Sequence, residues 1–160
     1  MSTIARQALA LVRPRFALDF ESNVHGAPHW IRVARNGRKL VKTIGLGVED
    51  AAMVEWFAYL HDSCRLNDNR DHLHGERAAG FACTLRAYGA LNELNLEAFG
   101  NLVAALAGHS DGHTMHSSAA VRVCWDADRL DLLRVGILPD PRLMCTTAGK
   151  EAARKLLHTD

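Results

Sequence analysis

Apolar residues recur at steps of three and four along most of this chain, while the strict alternation typical of strands is nearly absent. This periodicity predicts an all-α protein in which each helix turns an apolar stripe toward a shared core. The chain has 160 residues, four prolines and no repeat or low-complexity tract. We therefore expect one domain over residues 1–160. At this length about 68–70% of the unfolded surface can be buried, so folding alone requires neither a metal nor a disulfide.

Signals that begin or end helices divide the pattern into seven segments. We expect Asp50 to cap the third segment, and Gly45 and Gly47 to close the second. The third segment is apolar nearly all round, which predicts a central position in the bundle. The predicted helices cover 4–12, 29–42, 51–64, 73–91, 96–109, 119–135 and a stretch from 147 onward.

The charge pattern excludes several classes of protein. The chain has 19 Lys and Arg and 18 Asp and Glu, and no basic stripe is evident. We therefore expect no polymeric nucleic acid as a partner. No apolar stretch has the roughly 18–20 residues of a membrane span and no signal peptide is visible, which predicts a cytoplasmic protein without a membrane partner. The four cysteines are scattered without a Cys-x-x-Cys pair, which argues against a zinc ribbon and favours buried free thiols.

The dipeptide His61-Asp62 ends the most apolar predicted helix. Burying an ionised carboxylate there costs several kcal/mol unless a cation pairs with it. An arginine satisfies that requirement, and so does a metal ion that takes the imidazole and the carboxylate as adjacent ligands.

Other helices also present ligand-type side chains within their apolar stripes. His74, His109 and Asp128 lie in inward register on the fourth, fifth and sixth segments, and His29 opens the second. One inward histidine is more often a hydrogen-bonded core residue than a ligand. Several such groups on converging helices favour a shared metal centre, because one ion satisfies all of them.

The order His29…His61-Asp62…Asp128 resembles the H…HD…D pattern of the HD-domain superfamily of metal-dependent phosphohydrolases. The neighbouring sequences are also similar: residues 29–33 read His-Trp-Ile-Arg-Val, and residues 126–131 read Asp-Ala-Asp-Arg-Leu-Asp. The resemblance covers about residues 24–136. It implies a compact bundle of about six to seven helices.

The resemblance also implies a ligand set. His29, His61, Asp62 and Asp128 would hold a divalent ion, and Asp128 is preferred to Asp126 because of its helical register. Mn, Fe, Ni, Zn and Mg are all compatible with imidazole and carboxylate ligands, in one or two copies. The second ion would lie at His74 and His109, which alternatively contact the substrate phosphate or a water. His25 and Asp126 are expected to support the ligands rather than bind the ion.

The activity implied is hydrolysis of a small phosphate ester or nucleotide, as a phosphatase or phosphodiesterase, by a metal-bound water acting with Asp62. Arg65, Arg32 and Arg129 are the candidates for phosphate binding, although each arginine can equally form a structural ion pair. The chain lacks the Gly-Lys that follows the doublet in cyclic-dinucleotide phosphodiesterases and the Glu-Asp of alarmone hydrolases, so both activities are disfavoured.

Two alternatives stay open. Some relatives of this fold are di-iron oxygenases that use a six-ligand His/His-Asp/His/His/Asp set, and others would bind a metal or ligand without catalysis. No pattern in the sequence predicts an oligomeric state.

Overall fold

The computed structural model describes residues 1–158 and contains seven α-helices and no strand within that range. This confirms the predicted all-α class. Short 3-10 segments follow α1 and α6 and precede α7, at Arg13–Arg15, Leu132–Val135 and Pro141–Leu143. The helices are α1 (Thr3–Val12), α2 (Ala27–Ile44), α3 (Val48–Leu60), α4 (His74–Ala87), α5 (Leu96–Gly108), α6 (Ala119–Arg129) and α7 (Thr147–Leu157).

Helix α3 lies at the centre of the bundle, as its all-round apolar sequence predicts. It packs against α1, α2, α5 and α6, and Met53, Trp56, Phe57 and Leu60 are fully buried. Each of these side chains contributes roughly 1.5–3 kcal/mol by leaving water. Because α3 is held from several sides, the residues that follow Leu60 are fixed in the middle of the protein.

The helix boundaries differ from the predicted ones at several ends. Helix α3, predicted to reach residue 64, ends at Leu60. Helix α3 begins at Val48 after the cap residue Gly47, so the prediction of Asp50 as the cap is wrong, and Asp50 lies in the first turn instead. Helix α4 ends at Ala87 rather than at residue 91. Helix α6 ends at Arg129 rather than at 135, because the chain tightens into turns with 3-10 hydrogen bonds.

Helix α2 ends at Ile44, two residues beyond the predicted end, and Gly45 closes it as the sequence predicts. Gly45 adopts a left-handed conformation with φ +80°, and its N–H donates to the Val41 carbonyl. A glycine tolerates this conformation without the steric cost that a Cβ brings.

No helix within residues 1–158 has both the length and the apolar character that crossing a membrane requires. All four cysteines are free thiols. The prediction of buried thiols holds for Cys124 and is wrong for Cys83, which is exposed on α4.

Candidate metal centre

Five helices bring the predicted ligands to one place in the core. Helix α2 supplies the first histidine, the turn after α3 supplies the His-Asp doublet, and α4, α5 and α6 each add one residue at or next to a helix end. The side chains form two clusters, and within each cluster the potential ligand atoms lie within 4.8 Å of one another. The first cluster consists of His29, His61 and Asp128, and the second consists of Asp62, His74 and His109.

The first cluster has the dimensions of a coordination shell. His29 Nε2 lies 3.0 Å from His61 Nε2 and 3.4 Å from Asp128 Oδ1, and His61 Nε2 lies 3.7 Å from the same oxygen. With metal–ligand distances of about 2.0–2.2 Å, neighbouring ligands in a tetrahedron or octahedron are separated by about 2.8–3.6 Å. The three atoms therefore surround a volume that fits a transition-metal ion.

The second cluster has the same dimensions. His74 Nε2 lies 2.8 Å from His109 Nε2, and Asp62 Oδ1 lies 3.3 Å and 3.7 Å from these two nitrogens. A second ion of similar size fits among these atoms.

Asp62 joins the two clusters. Its Oδ1 faces His74 and His109, while its Oδ2 lies 3.6 Å from His29 Nε2 and 3.7 Å from His61 Nε2. One carboxylate thus offers an oxygen to each cluster, which is the arrangement required of a ligand that bridges two ions.

The hydrogen bonds of the four histidines determine which nitrogen carries the proton. His61 Nδ1 donates to the Ala58 carbonyl at 3.1 Å, and His29 Nδ1 donates to the Asp131 carboxylate at 2.7 Å. These acceptors place the proton on Nδ1 and leave a lone pair on each Nε2.

The second cluster follows the same rule. His109 Nδ1 donates to the Leu106 carbonyl at 2.8 Å, and His74 Nδ1 donates to the Asp71 carbonyl. Four imidazole lone pairs therefore converge in the core, together with the carboxylate oxygens. Lone pairs that face one another in this way favour a cation between them.

Asp128 provides an independent indication of a missing partner. Its Oδ1 is buried and accepts no hydrogen bond, and the closest cationic atom, Arg134 Nη1, is 3.8 Å away. An unpaired buried carboxylate oxygen is costly, and the oxygen lies where the first cluster would hold an ion. The residues present therefore fit a divalent metal.

The pKa shifts agree with a centre that binds cations. Burial alone would lower the pKa of His109, but the Asp62 carboxylate raises it, so positive charge is favoured at this imidazole. Burial lowers the pKa of His61 to about 3, so this imidazole is neutral near pH 7. Burial alone would raise the pKa of Asp62, but its contacts with His61, His109 and His25 hold that pKa well below its usual range. Asp128 has a lowered pKa despite its burial, because neighbouring histidines outweigh that penalty. Both carboxylates are therefore ionised.

Side chains with N–H donors hold the outer edges of the two carboxylates. Arg65 Nε donates to Asp62 Oδ1 at 2.8 Å, and His25 Nδ1 donates to Asp62 Oδ2 at 3.0 Å. Arg134 lies beside Asp128 and is anchored by a hydrogen bond of 2.8 Å from Nε to the Val24 carbonyl. The structure thus places Arg65 and His25 next to the centre, at the positions expected from the sequence.

Arg32 does not reach the centre directly. Its Nε donates to Asp131 Oδ1 at 2.7 Å, and its Nη2 donates to the Asn23 carbonyl at 2.7 Å. Because the other oxygen of Asp131 accepts from His29, Arg32 orients a ligand through that carboxylate. This contact is the structural ion pair that the sequence left open for Arg32 beside phosphate binding.

Arg129 and Asp126 are also placed differently from the predictions. The Arg129 guanidinium donates to the carbonyls of Leu143 and His113, so it ties two loops together. Asp126 is fully buried and accepts from the backbone N–H of Cys145 and from Thr146, which anchors the start of α7. The expectation that Asp126 supports a metal ligand or faces solvent is wrong, because these bonds use its carboxylate for packing.

Two residues at the centre were missed by sequence reasoning. Asp131 was not among the predicted site residues, but its carboxylate accepts from His29 Nδ1. Arg134 lies six positions after Asp128, on a different face of a continuous helix. The early end of α6 and the 3-10 segment that follows bring it back beside Asp128.

Comparison with known proteins identifies the fold. No family model matches the sequence, and no curated protein matches it. The structure is similar to the crystal structure of a predicted HD superfamily hydrolase from an uncultured Thermotogales bacterium. The two have a TM-score of 0.72 and 22% sequence identity, and the match covers 95% of this chain and 84% of the other. The chain therefore has the HD-domain fold, as its His-Asp motifs predicted.

Proposed function

We propose that this protein is a metal-dependent hydrolase that cleaves a phosphate ester in a small phosphorylated molecule or nucleotide. The observation that carries the proposal is the position of Asp62 between two clusters of inward-facing lone pairs. The solved structure with the same fold is described as a predicted hydrolase, which is consistent with this reaction class.

Divalent ions held by the two clusters would supply Lewis acidity and lower the pKa of a coordinated water. The protein's own groups fix where that chemistry occurs. The four histidines keep their proton on Nδ1, so their Nε2 atoms are preorganised to bind without a change of tautomer.

Positive side chains flank the proposed centre on both sides. Arg65 lies against Asp62 and Arg134 lies against Asp128. Charge develops on the phosphoryl oxygens during hydrolysis, and guanidinium groups stabilise that charge by directional hydrogen bonds. We propose that Arg65 and Arg134 hold the phosphoryl group, and that Arg134 has the role predicted for Arg129.

Metal content and phosphate release from a generic aryl phosphate test the proposal together. Both are measured on the wild type, on Asp62→Asn and on Asp140→Asn. Asp140 is the matched control because it is a surface aspartate paired with Arg142, outside both clusters. Circular dichroism and thermal unfolding establish that each variant is folded.

We expect up to two ions per chain in the wild type and in Asp140→Asn. Asp62→Asn should lose most of both, because this one carboxylate faces both clusters, and its phosphate release should fall by about 10²-fold or more. A folded Asp62→Asn that retains full metal and full activity would refute the proposal. Metal without turnover on any phosphate ester would instead favour a non-catalytic binding domain.

The division of six ligands into two clusters also favours a second candidate, a di-iron oxygenase. The same metal analysis separates the two functions. Iron in both positions with consumption of O₂ would favour the oxygenase, whereas phosphate release with zinc, nickel, manganese or magnesium favours the hydrolase.

A further inference from the structure

A cavity of about 420 Å³ lies beside the segment that follows the His-Asp doublet. It is lined by the 3-10 turn after α1, by residues 63–66 and by one face of α4. Its lining includes the side chains Arg15, Cys64, Arg65, Arg77, Phe81 and Thr84. None of the lining residues is acidic, so the cavity concentrates positive charge.

The three arginines are held in different ways. Arg77 donates to the Cys64 carbonyl at 3.0 Å and pairs with Asp71, and Arg65 pairs with Asp62. Both acidic partners lie outside the cavity lining. Arg15 is exposed, and no carboxylate within residues 1–158 lies within ion-pair distance of it.

Arg15 is nevertheless held in place by stacking. Its guanidinium carbon lies 3.9 Å from the centroid of the Phe81 ring. A guanidinium stacked on an aromatic face keeps its in-plane N–H groups free, and these groups match the geometry of phosphate oxygens. Arg15 thus offers a preoriented set of donors for which residues 1–158 provide no hydrogen-bond acceptor.

Arg65 connects this cavity to the metal centre. It lines the cavity and also donates from Nε to Asp62 Oδ1 at 2.8 Å. A ligand in the cavity therefore lies within one side chain of the carboxylate that faces both clusters.

We propose that this arginine-lined cavity is a binding site for a phosphate group, and that it receives a phosphate of the substrate other than the one that reacts. The assignment to the substrate rests on the proposed function, whereas the phosphate site itself does not. The substrate class implied is a small molecule with two phosphate groups. A separate phosphate ligand has the same chemistry and is distinguished below.

The test uses inorganic phosphate as the probe and follows it by ¹H–¹⁵N NMR on the protein loaded with Zn²⁺ or Mg²⁺. The amide signals of Phe81 and Thr84 report on the cavity, and those of the ligand histidines report on the centre. The variant is Arg15→Ala. The matched control is Arg13→Ala, since Arg13 stacks on Phe20 near Arg15 but does not line the cavity.

In the wild type and in Arg13→Ala, phosphate should shift the Phe81 and Thr84 signals to saturation. Arg15→Ala should weaken that affinity by about tenfold or more, because it removes charge-assisted hydrogen bonds. Equal affinity in Arg15→Ala and the wild type, or no saturable shift of the cavity signals in the wild type, would overturn the proposal.

Kinetics on nucleoside monophosphates and diphosphates identify the source of the phosphate. If the cavity holds part of the substrate, Arg15→Ala raises KM for diphosphates more than for monophosphates and leaves kcat nearly unchanged. If phosphate binding weakens but both KM values stay the same, the site stands and takes a separate phosphate ligand. A protein without any hydrolytic activity whose cavity still binds phosphate through Arg15 would refute the proposed function and leave the phosphate site intact.

Discussion

Replacing Gly75 by alanine should force α4 and α5 apart next to the second cluster. Gly75 follows His74 on α4, and a Cβ at this position would lie 2.7 Å from the Leu106 carbonyl oxygen and 2.8 Å from that of Ala107. Ordinary contact between such atoms begins near 3.4 Å, so the two helices must separate by about 0.6–0.7 Å. Both neighbours are backbone atoms and cannot rotate away.

The cost can be isolated with a second glycine on the same helix. A Cβ at Gly80 meets nothing within 4 Å. Both substitutions gain up to about 1 kcal/mol of helix propensity, so the difference between the variants reports the overpacking, which is about 1–3 kcal/mol. In urea, Gly75→Ala should unfold roughly 0.5–1.5 M below Gly80→Ala for a slope near 2 kcal/mol per M.

The same change should weaken the metal site selectively. The Leu106 carbonyl that the new methyl group displaces accepts the hydrogen bond from His109 Nδ1. We expect the affinity of the second cluster to fall by about tenfold, while the first cluster keeps its ion. Isothermal titration calorimetry with the metal measures the affinities of both clusters. If Gly75→Ala is as stable as Gly80→Ala and binds two ions normally, the close approach of α4 to α5 does not constrain the site.

Removing the metal with a chelator should lower the Tm, because an ion that binds only the folded state adds about 2.7 kcal/mol to the free energy of unfolding at a hundred times its Kd. Differential scanning calorimetry before and after the metal is added back checks this, and an unchanged Tm would contradict it. Asp131→Asn should lower the metal affinity of the first cluster by about 10–100-fold, since Asp131 orients His29 by accepting from its Nδ1. Competition with a metal indicator measures this loss, and the affinity of the second cluster serves as the internal reference. Gly149→Ala should destabilise the fold by about 1–3 kcal/mol, because its Cβ would clash with the Asp126 carboxylate. The control Gly100→Ala places its Cβ in open space and should cost no stability. Denaturant unfolding of both variants measures the difference, and equal midpoints would refute the reasoning.

The inward direction of the candidate ligands could be predicted from the sequence because these residues lie at or beside the ends of helices that bury apolar side chains. Their assignment as metal ligands came from the resemblance to the HD-domain pattern. His74 continues the stripe of Ala78 and Phe81, so its inward direction follows from helical geometry alone. The doublet at 61–62 needed only the recognition that α3 is apolar all round. These inferences depend on local periodicity, which a sequence displays directly.

The residues that support the site were harder to predict because irregular segments place them. Arg134 reaches Asp128 only since α6 stops at Arg129, and boundaries of this kind depend on tertiary packing rather than propensity. Arg15 reaches Phe81 across 66 positions of sequence, from a 3-10 turn that no periodic signal marks. Long-range contacts between turns leave no pattern in a single sequence.

The arrangement of protons favours metal binding over a hydrogen-bonded core most clearly in the first cluster. In the second cluster Asp62 raises the pKa of His109, so a proton on that imidazole competes with a metal ion. A neutral imidazole has one N–H, and each of the four histidines uses it on an oxygen acceptor outside the two clusters. Each Nε2 is then left facing another lone pair, at 3.0 Å in the first cluster and 2.8 Å in the second. A second proton on His61 is disfavoured by burial, which lowers its pKa to about 3. Ions that accept these lone pairs remove the repulsion and join five helices, so folding and metal binding should be strongly coupled.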